Sequence, residues 1–211
     1  MGKRKVGLLW GHGINDAQEP TQIEKPYKKG DKREVVWRCP YYQKWMNMIR
    51  RCYSKVLHQN TSPTYRDCTV CGEWLYYSNF KAWMLTQDWE GKQLDKDLVE
   101  PYNKVYCPEK CWFVSPSVNA FMTGSNAKRG EYPIGVHYDK YSNIFVTQCH
   151  NPKTKIQEQI GYYDSPEEAH ENWKEAKLNG AKYLASLEQN YNIGELLIAR
   201  YTFKEGEICL Y

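Results

Sequence analysis

The hydrophobic period of the chain changes once, near Tyr132, and that change leaves few folds open. Tyr132–Tyr138, Asn143–His150 and Ile156–Tyr163 each read as a strand. Polar turns at Asp139–Ser142 and Asn151–Lys155 join them, as hairpin chemistry requires. Ser165-Pro166-Glu167-Glu168 then combines a capping serine with proline at the first helical position. Ala169, Trp173, Ala176, Leu178, Ala181 and Leu184 carry a long helix to about Ser186. The spacing predicts a three-stranded antiparallel sheet packed on one helix.

The part before this block has a different texture. Gly11, Gly13, Pro20, Pro26 and Gly30 interrupt any period over residues 1–38, apart from a short strand over Glu34–Arg38. Pro40 opens a helix whose apolar face is Tyr42, Trp45, Met48, Ile49 and Cys52. Residues 56–66 read as a polar loop, Cys68–Trp74 as a tight knuckle, and Asn79–Thr86 as a second helix. Short strands are expected at Gln93–Leu98 and Asn103–Cys107. A turn leads into Cys111–Val114, and Ser115-Pro116 starts a helix carrying Asn119. The class is α+β, in two domains: 1–121 and 132–188, joined by a linker at 122–131. A C-terminal extension, 189–211, follows, in which Ile193–Tyr201 is a strand or helix.

Charge is placed unevenly. Residues 1–66 hold 14 Lys/Arg against 5 Asp/Glu, residues 67–131 hold 7 against 9, and residues 132–211 hold 8 against 11. A basic, aromatic first third suits a phosphate-rich partner. On the first predicted helix Lys44, Arg50 and Arg51 are candidate phosphate contacts, with the basic turn Lys28–Arg33 beside them. The longest apolar runs are a few residues, so no membrane partner is expected. No stretch reads as a signal peptide, and a cytoplasmic location is expected. Eight cysteines there suggest metal binding or core thiols. Cys68, Cys71, Cys107 and Cys111 would close a structural Zn²⁺ site; Cys52, His58, Cys68 and Cys71 form a rival set. Cys39 and Cys52, about 20 Å apart along a helix, cannot share one ion.

A second constellation is Asp95-Lys96-Asp97, then Asn103, then Asn119. A carboxylate on a strand and an amide on a helix can hold Mg²⁺ or Mn²⁺, hard ions that keep waters and bind a substrate phosphate.

The run from Gly11 to about Phe121 resembles phage-encoded endonucleases of the HNH superfamily, especially the homing-endonuclease-like group. It does so through Gly13-Ile14-Asn15-Asp16, Cys39-Pro40-Tyr41-Tyr42, Arg51-Cys52-Tyr53-Ser54, Cys71-Gly72-Glu73-Trp74, Leu94-Asp95-Lys96-Asp97 and Tyr106-Cys107-Pro108-Glu109 through Asn119. The resemblance implies a strand–strand–helix metal motif, one divalent ion and cleavage of a DNA phosphodiester. Asp95 or Asp97 would be the first-strand ligand and Asn119 the helix ligand. Lys96 stands where the family places its histidine base; the central asparagine position falls at Cys111, unless Asn103 substitutes from the loop. Lys96 would then neutralise developing charge.

Residues 132–188 resemble the ethylene-response-factor type of DNA-binding domain, through Gly135-Val136, Phe145, Asn151-Pro152, Ile160-Gly161, Tyr163, Ser165, Glu167-Glu168-Ala169 and Ala176. The resemblance implies that the sheet enters the major groove and the helix braces it. His137, Lys140, Tyr141, Gln148, His150, Gln157 and Gln159 would meet bases and phosphates; amides and imidazoles suit base edges. The expected function is a phage endonuclease acting on double-stranded DNA in the cytoplasm of a bacterial host. The alternatives are an inactive DNA-binding regulator or inhibitor of a host system, and a module that binds a host protein.

Overall fold

The computed structural model describes residues 7–26, 28, 30, 32, 34–123 and 131–203. The fold is mixed α+β. In chain order its elements are β1 (Gln22–Glu24), β2 (Val35–Arg38), α1 (Pro40–Tyr53), α2 (Lys55–Asn60), β3 (Thr69–Val70), α3 (Tyr77–Met84), β4 (Gln93–Asp95), β5 (Val105–Tyr106), β6 (Trp112–Val114), α4 (Pro116–Met122), β7 (Val136–Asp139), β8 (Ile144–Asn151), β9 (Ile156–Tyr163), α5 (Pro166–Leu187) and α6 (Tyr191–Arg200). They fall into two compact units, residues 1–90 with 100–113 and residues 91–99 with 114–211.

The first unit is built on α1. Pro40 sits in its first turn, Arg50 and Arg51 in its last, where cations complement the helix dipole. Its apolar face is the predicted one, with Trp45 and Ile49 wholly buried. The Trp45 indole donates to the Trp74 carbonyl at 2.7 Å, tying α1 to a segment 29 residues away. Ser54 ends α1 and its hydroxyl caps α2 by accepting from the Leu57 amide at 3.3 Å. That double use makes a helix of the stretch expected to be a loop. β1 and β2 pair antiparallel, with Ile23 opposite Trp37. β3 and β5 pair in parallel, with Val70 opposite Tyr106.

The second unit holds the three-stranded antiparallel sheet, ordered β7-β8-β9. Ser165 caps α5 by accepting from the Glu168 amide, with Pro166 in the first turn. Two side chains of β8 point at α5. The Thr147 hydroxyl donates to the Ala169 carbonyl at 2.7 Å, and Cys149 packs on Trp173. Thr147 is fully buried, so Thr147→Val should leave the Ala169 carbonyl without its donor. Unfolding in urea should show a loss of about 1–2 kcal/mol; an unchanged midpoint would mean that the bond carries no weight.

The same unit contains β4 and α4, which pack together. Val114, the last residue of β6, belongs to this unit as well. The division of contacts therefore differs from the expected domain boundary after residue 121. α4 groups with the C-terminal residues because Phe121 is held by α5 and by Tyr201 just past α6. Lys177 Nζ lies 4.0 Å from the Phe121 ring centroid, and the Phe121 and Tyr201 rings meet edge to face at 5.2 Å. Most of the expected linker, 124–130, lies outside the described residues.

Candidate functional site

Two features of the second unit bring predicted residues together: the outer face of the sheet, and the loop after β4.

The sheet face follows from strand alternation. Thr147 and Cys149 face α5, so Val146, Gln148 and His150 face away from it. Directly opposed residues of antiparallel strands share a face. His137 is opposite Val146, Gln159 opposite Gln148, and Gln157 opposite His150. Five of the predicted contacts, His137, Gln148, His150, Gln157 and Gln159, thus stand on one surface. A slip between Thr147 and Gln148 preserves this by leaving Ile160 as the extra residue. The sequence reading missed Tyr162, which is opposite Val146 on the same face and 59% exposed. Its place depends on that slip, which alternation alone does not reveal.

The β7–β8 turn stands at the edge of this face. Asp139 accepts from the Tyr141 amide at 3.0 Å, leaving the Tyr141 ring fully exposed. That bond holds the Asp139 carboxyl below the usual range. Lys140, Lys153 and Lys155 are exposed. Glu158 is tied to Thr154 at 2.6 Å and Asn151 at 2.8 Å, bonds that depress its pKa.

The loop after β4 alternates Leu94, Lys96 and Leu98, all buried, with Asp95 and Asp97, half-buried. Asp95 Oδ1 accepts from the amides of Asp97 at 2.9 Å and Leu98 at 2.8 Å. These bonds end β4 at Asp95, short of the expected Leu98. Asp95 Oδ2 takes no hydrogen bond among the described residues. Burial pushes this carboxyl above the usual range and the charge of Asp97 adds to it; the two amides and Arg200 pull it back. Asn119 is on α4, half-buried, and its side-chain amide likewise has no hydrogen bond among the described residues. Lys96 Nζ meets both carboxylate oxygens of Asp97, at 2.7 and 2.8 Å. Lys96 is 6% exposed, so it is bound to Asp97 rather than presented at the surface.

Other predicted residues have local duties. Asn103 is 4% exposed, donating to the Val105 carbonyl at 2.7 Å and accepting from the Val105 amide at 3.1 Å. It braces the entry to β5 and belongs to the first unit, not to the unit that holds Asp95. Arg51 is half-buried, hydrogen-bonded to Tyr106, and lies over the Tyr65 ring at 5.8 Å. Lys44 is half-buried, 5.9 Å from the Phe113 ring centroid, and burial lowers its pKa. Arg50 is exposed. Of the basic turn, Lys28 and Lys32 are exposed, while residues 29, 31 and 33 lie outside the described residues.

The pairing of β3 with β5 brings the ends of the two cysteine pairs together, since the Cys71 amide donates to the Tyr106 carbonyl at 2.9 Å. Cys68 and Cys111 are buried, Cys71 and Cys107 half-buried. Burial raises the pKa of the Cys71 and Cys107 thiols. Among the described residues, no three His, Cys, Asp or Glu side chains converge as metal ligands. This covers the four-thiol set and its rival alike, and His58 Nε2 is 2.7 Å from the Arg51 carbonyl oxygen.

No helix among the described residues is long and apolar enough to cross a membrane. Compared with known proteins, the chain matches no family model, no curated protein and no solved structure.

Proposed function

We propose that this protein binds double-stranded DNA through the outer face of β7-β8-β9 and nicks it with a divalent ion held by Asp95 and Asn119. The observation that carries the reading is the shared face: three glutamines and two histidines stand together on it. Side-chain amides can pair with the N6 and N7 edge of adenine in the major groove. Tyr141 and Tyr162 add flat exposed rings to the same region. Lys140, Lys153 and Lys155 supply only modest phosphate attraction, so the salt dependence of binding is shallow.

The packing of α4 on β4 supports the HNH-like reading. The donors suit Mg²⁺ or Mn²⁺: a carboxylate oxygen and an amide oxygen are hard ligands, and such ions keep several waters. When bound, the ion supplies Lewis-acid stabilisation of a phosphate and activation of water. A second reading, a DNA binder without cleavage, is favoured by Lys96. Its pairing with Asp97 leaves no evident general base in the loop.

Incubation of supercoiled plasmid with Mg²⁺ or Mn²⁺ separates these readings. Metal-dependent nicking by wild type, lost in Asp95→Ala and Asn119→Ala, is the result expected of the nuclease. DNA retention without nicking at any concentration would leave the binder. Failure to bind DNA even at low salt removes both.

Gln148→Ala gives a finer test of the face. It should weaken binding to a preferred sequence about tenfold and leave the slope of affinity against salt unchanged. A uniform loss on all sequences, with a shallower slope, would show that Gln148 does not read bases.

A further inference from the structure

We infer that Arg200, at the end of α6, is a positioning residue for the Asp95 loop, and that the C-terminal extension completes the candidate metal site. The inference rests on the Asp95–Asn119 reading above and gives a task to α6, a segment without one in the sequence.

Two contacts carry it. The Arg200 guanidinium donates through Nη1 to the Asp97 carbonyl, bridging 103 residues. That carbonyl belongs to the short turn whose amides at Asp97 and Leu98 hold Asp95 Oδ1. Arg200 thus fixes the same turn through the Asp97 carbonyl. The next residue reaches the other ligand element. Tyr201 donates its hydroxyl to the Phe121 carbonyl at 3.4 Å, in the last turn of α4, two residues beyond Asn119. Lys177 of α5 donates to the same carbonyl at 3.1 Å. A cation at that helix end also complements the dipole of α4. Adjacent residues at the end of α6 therefore hold the backbone on which Asp95 and Asn119 are mounted.

α6 itself is anchored on α5, with Ile193 and Leu197 buried. Because α5 also braces the sheet through Ala169 and Trp173, one helix supports both the reading face and the metal loop. Groups that orient metal ligands typically change metal affinity by about 10–100-fold when removed.

The test uses the full chain and Mn²⁺ as probe, with binding read by electron paramagnetic resonance and hydrogen exchange measured on the metal-free protein. Wild type, Arg200→Ala, Arg200→Lys and Asp95→Ala are compared. Arg200→Ala should bind Mn²⁺ about tenfold more weakly, with faster exchange at the Asp97 and Leu98 amides and unchanged DNA affinity. Arg200→Lys keeps the charge and one donor, and should recover part of the loss. Arg200→Ala with wild-type Mn²⁺ affinity, or unchanged exchange at those two amides, overturns the inference alone. Wild type that binds no Mn²⁺ overturns it together with the metal reading.

Discussion

Asp95→Asn should reduce metal-dependent nicking of supercoiled plasmid at least about 100-fold, because it removes the charge of a direct metal ligand. DNA affinity should stay within about twofold, since the reading face is a separate surface. The substitution keeps the shape and the Oδ1 acceptor that receives the Asp97 and Leu98 amides, so folding is spared and the loss isolates the free oxygen. Asp97→Asn should cost less, because the Asp97 carboxylate is already taken by Lys96. The two variants therefore rank the carboxylates that spacing alone leaves equivalent. Equal loss in both would show that the Lys96–Asp97 pair opens when metal binds. Undiminished nicking by Asp95→Asn would place the chemistry elsewhere.

That ranking marks the limit of what the sequence made legible. Alternation in Gln93–Leu98 predicts that Asp95 and Asp97 share a side, but β4 ends at Asp95 and the chain turns there. Alternation says nothing of the turn that takes one oxygen of Asp95, or of the lysine that takes both oxygens of Asp97, because these depend on where the chain bends after Asp95. The sheet was more legible. Its hydrophobic pattern has period two and its turns are polar, so β8 and β9 follow from local rules, while β7 begins at Val136 rather than Tyr132 and the face of Gln148, His150, Gln157 and Gln159 came from the resemblance. The surroundings of Arg51 were hidden for a related reason. Its position on α1 is correct, but its partner Tyr106 is far along the chain, and a cation recruited by a buried tyrosine looks in sequence like one offered to a phosphate. Arg200 is the extreme case: its contact with Asp97 spans 103 residues, and no local pattern encodes it.

The sequence gives Gly135 only as one residue of a resemblance, whereas the structure gives it a steric task. Gly135→Ala is the substitution with the largest expected cost in stability. Gly135 has φ of +83°, and a Cβ there would lie 1.9 Å from Cδ1 of Trp173. The left-handed backbone costs an ordinary residue about 1–2 kcal/mol, and forcing the indole aside adds about 1–3 kcal/mol more. Trp173 cannot yield cheaply. It packs on Cys149 and stacks on His170 at 5.5 Å, while His170 Nδ1 contacts the Ile134 carbonyl oxygen at 2.9 Å, next to the glycine itself. The expected result is a fall in melting temperature of roughly 10 °C, accompanied by loss of DNA binding, because β7 carries His137. Gly72→Ala is the matched control: its backbone is right-handed and a Cβ there meets nothing within 4 Å. It should melt with wild type. Trp173→Leu introduced into Gly135→Ala should recover part of the stability by vacating the space the methyl group enters. A Gly135→Ala protein that melts as the Gly72→Ala control does would show that the close approach of Trp173 to the β7 entry does not govern the stability of this unit.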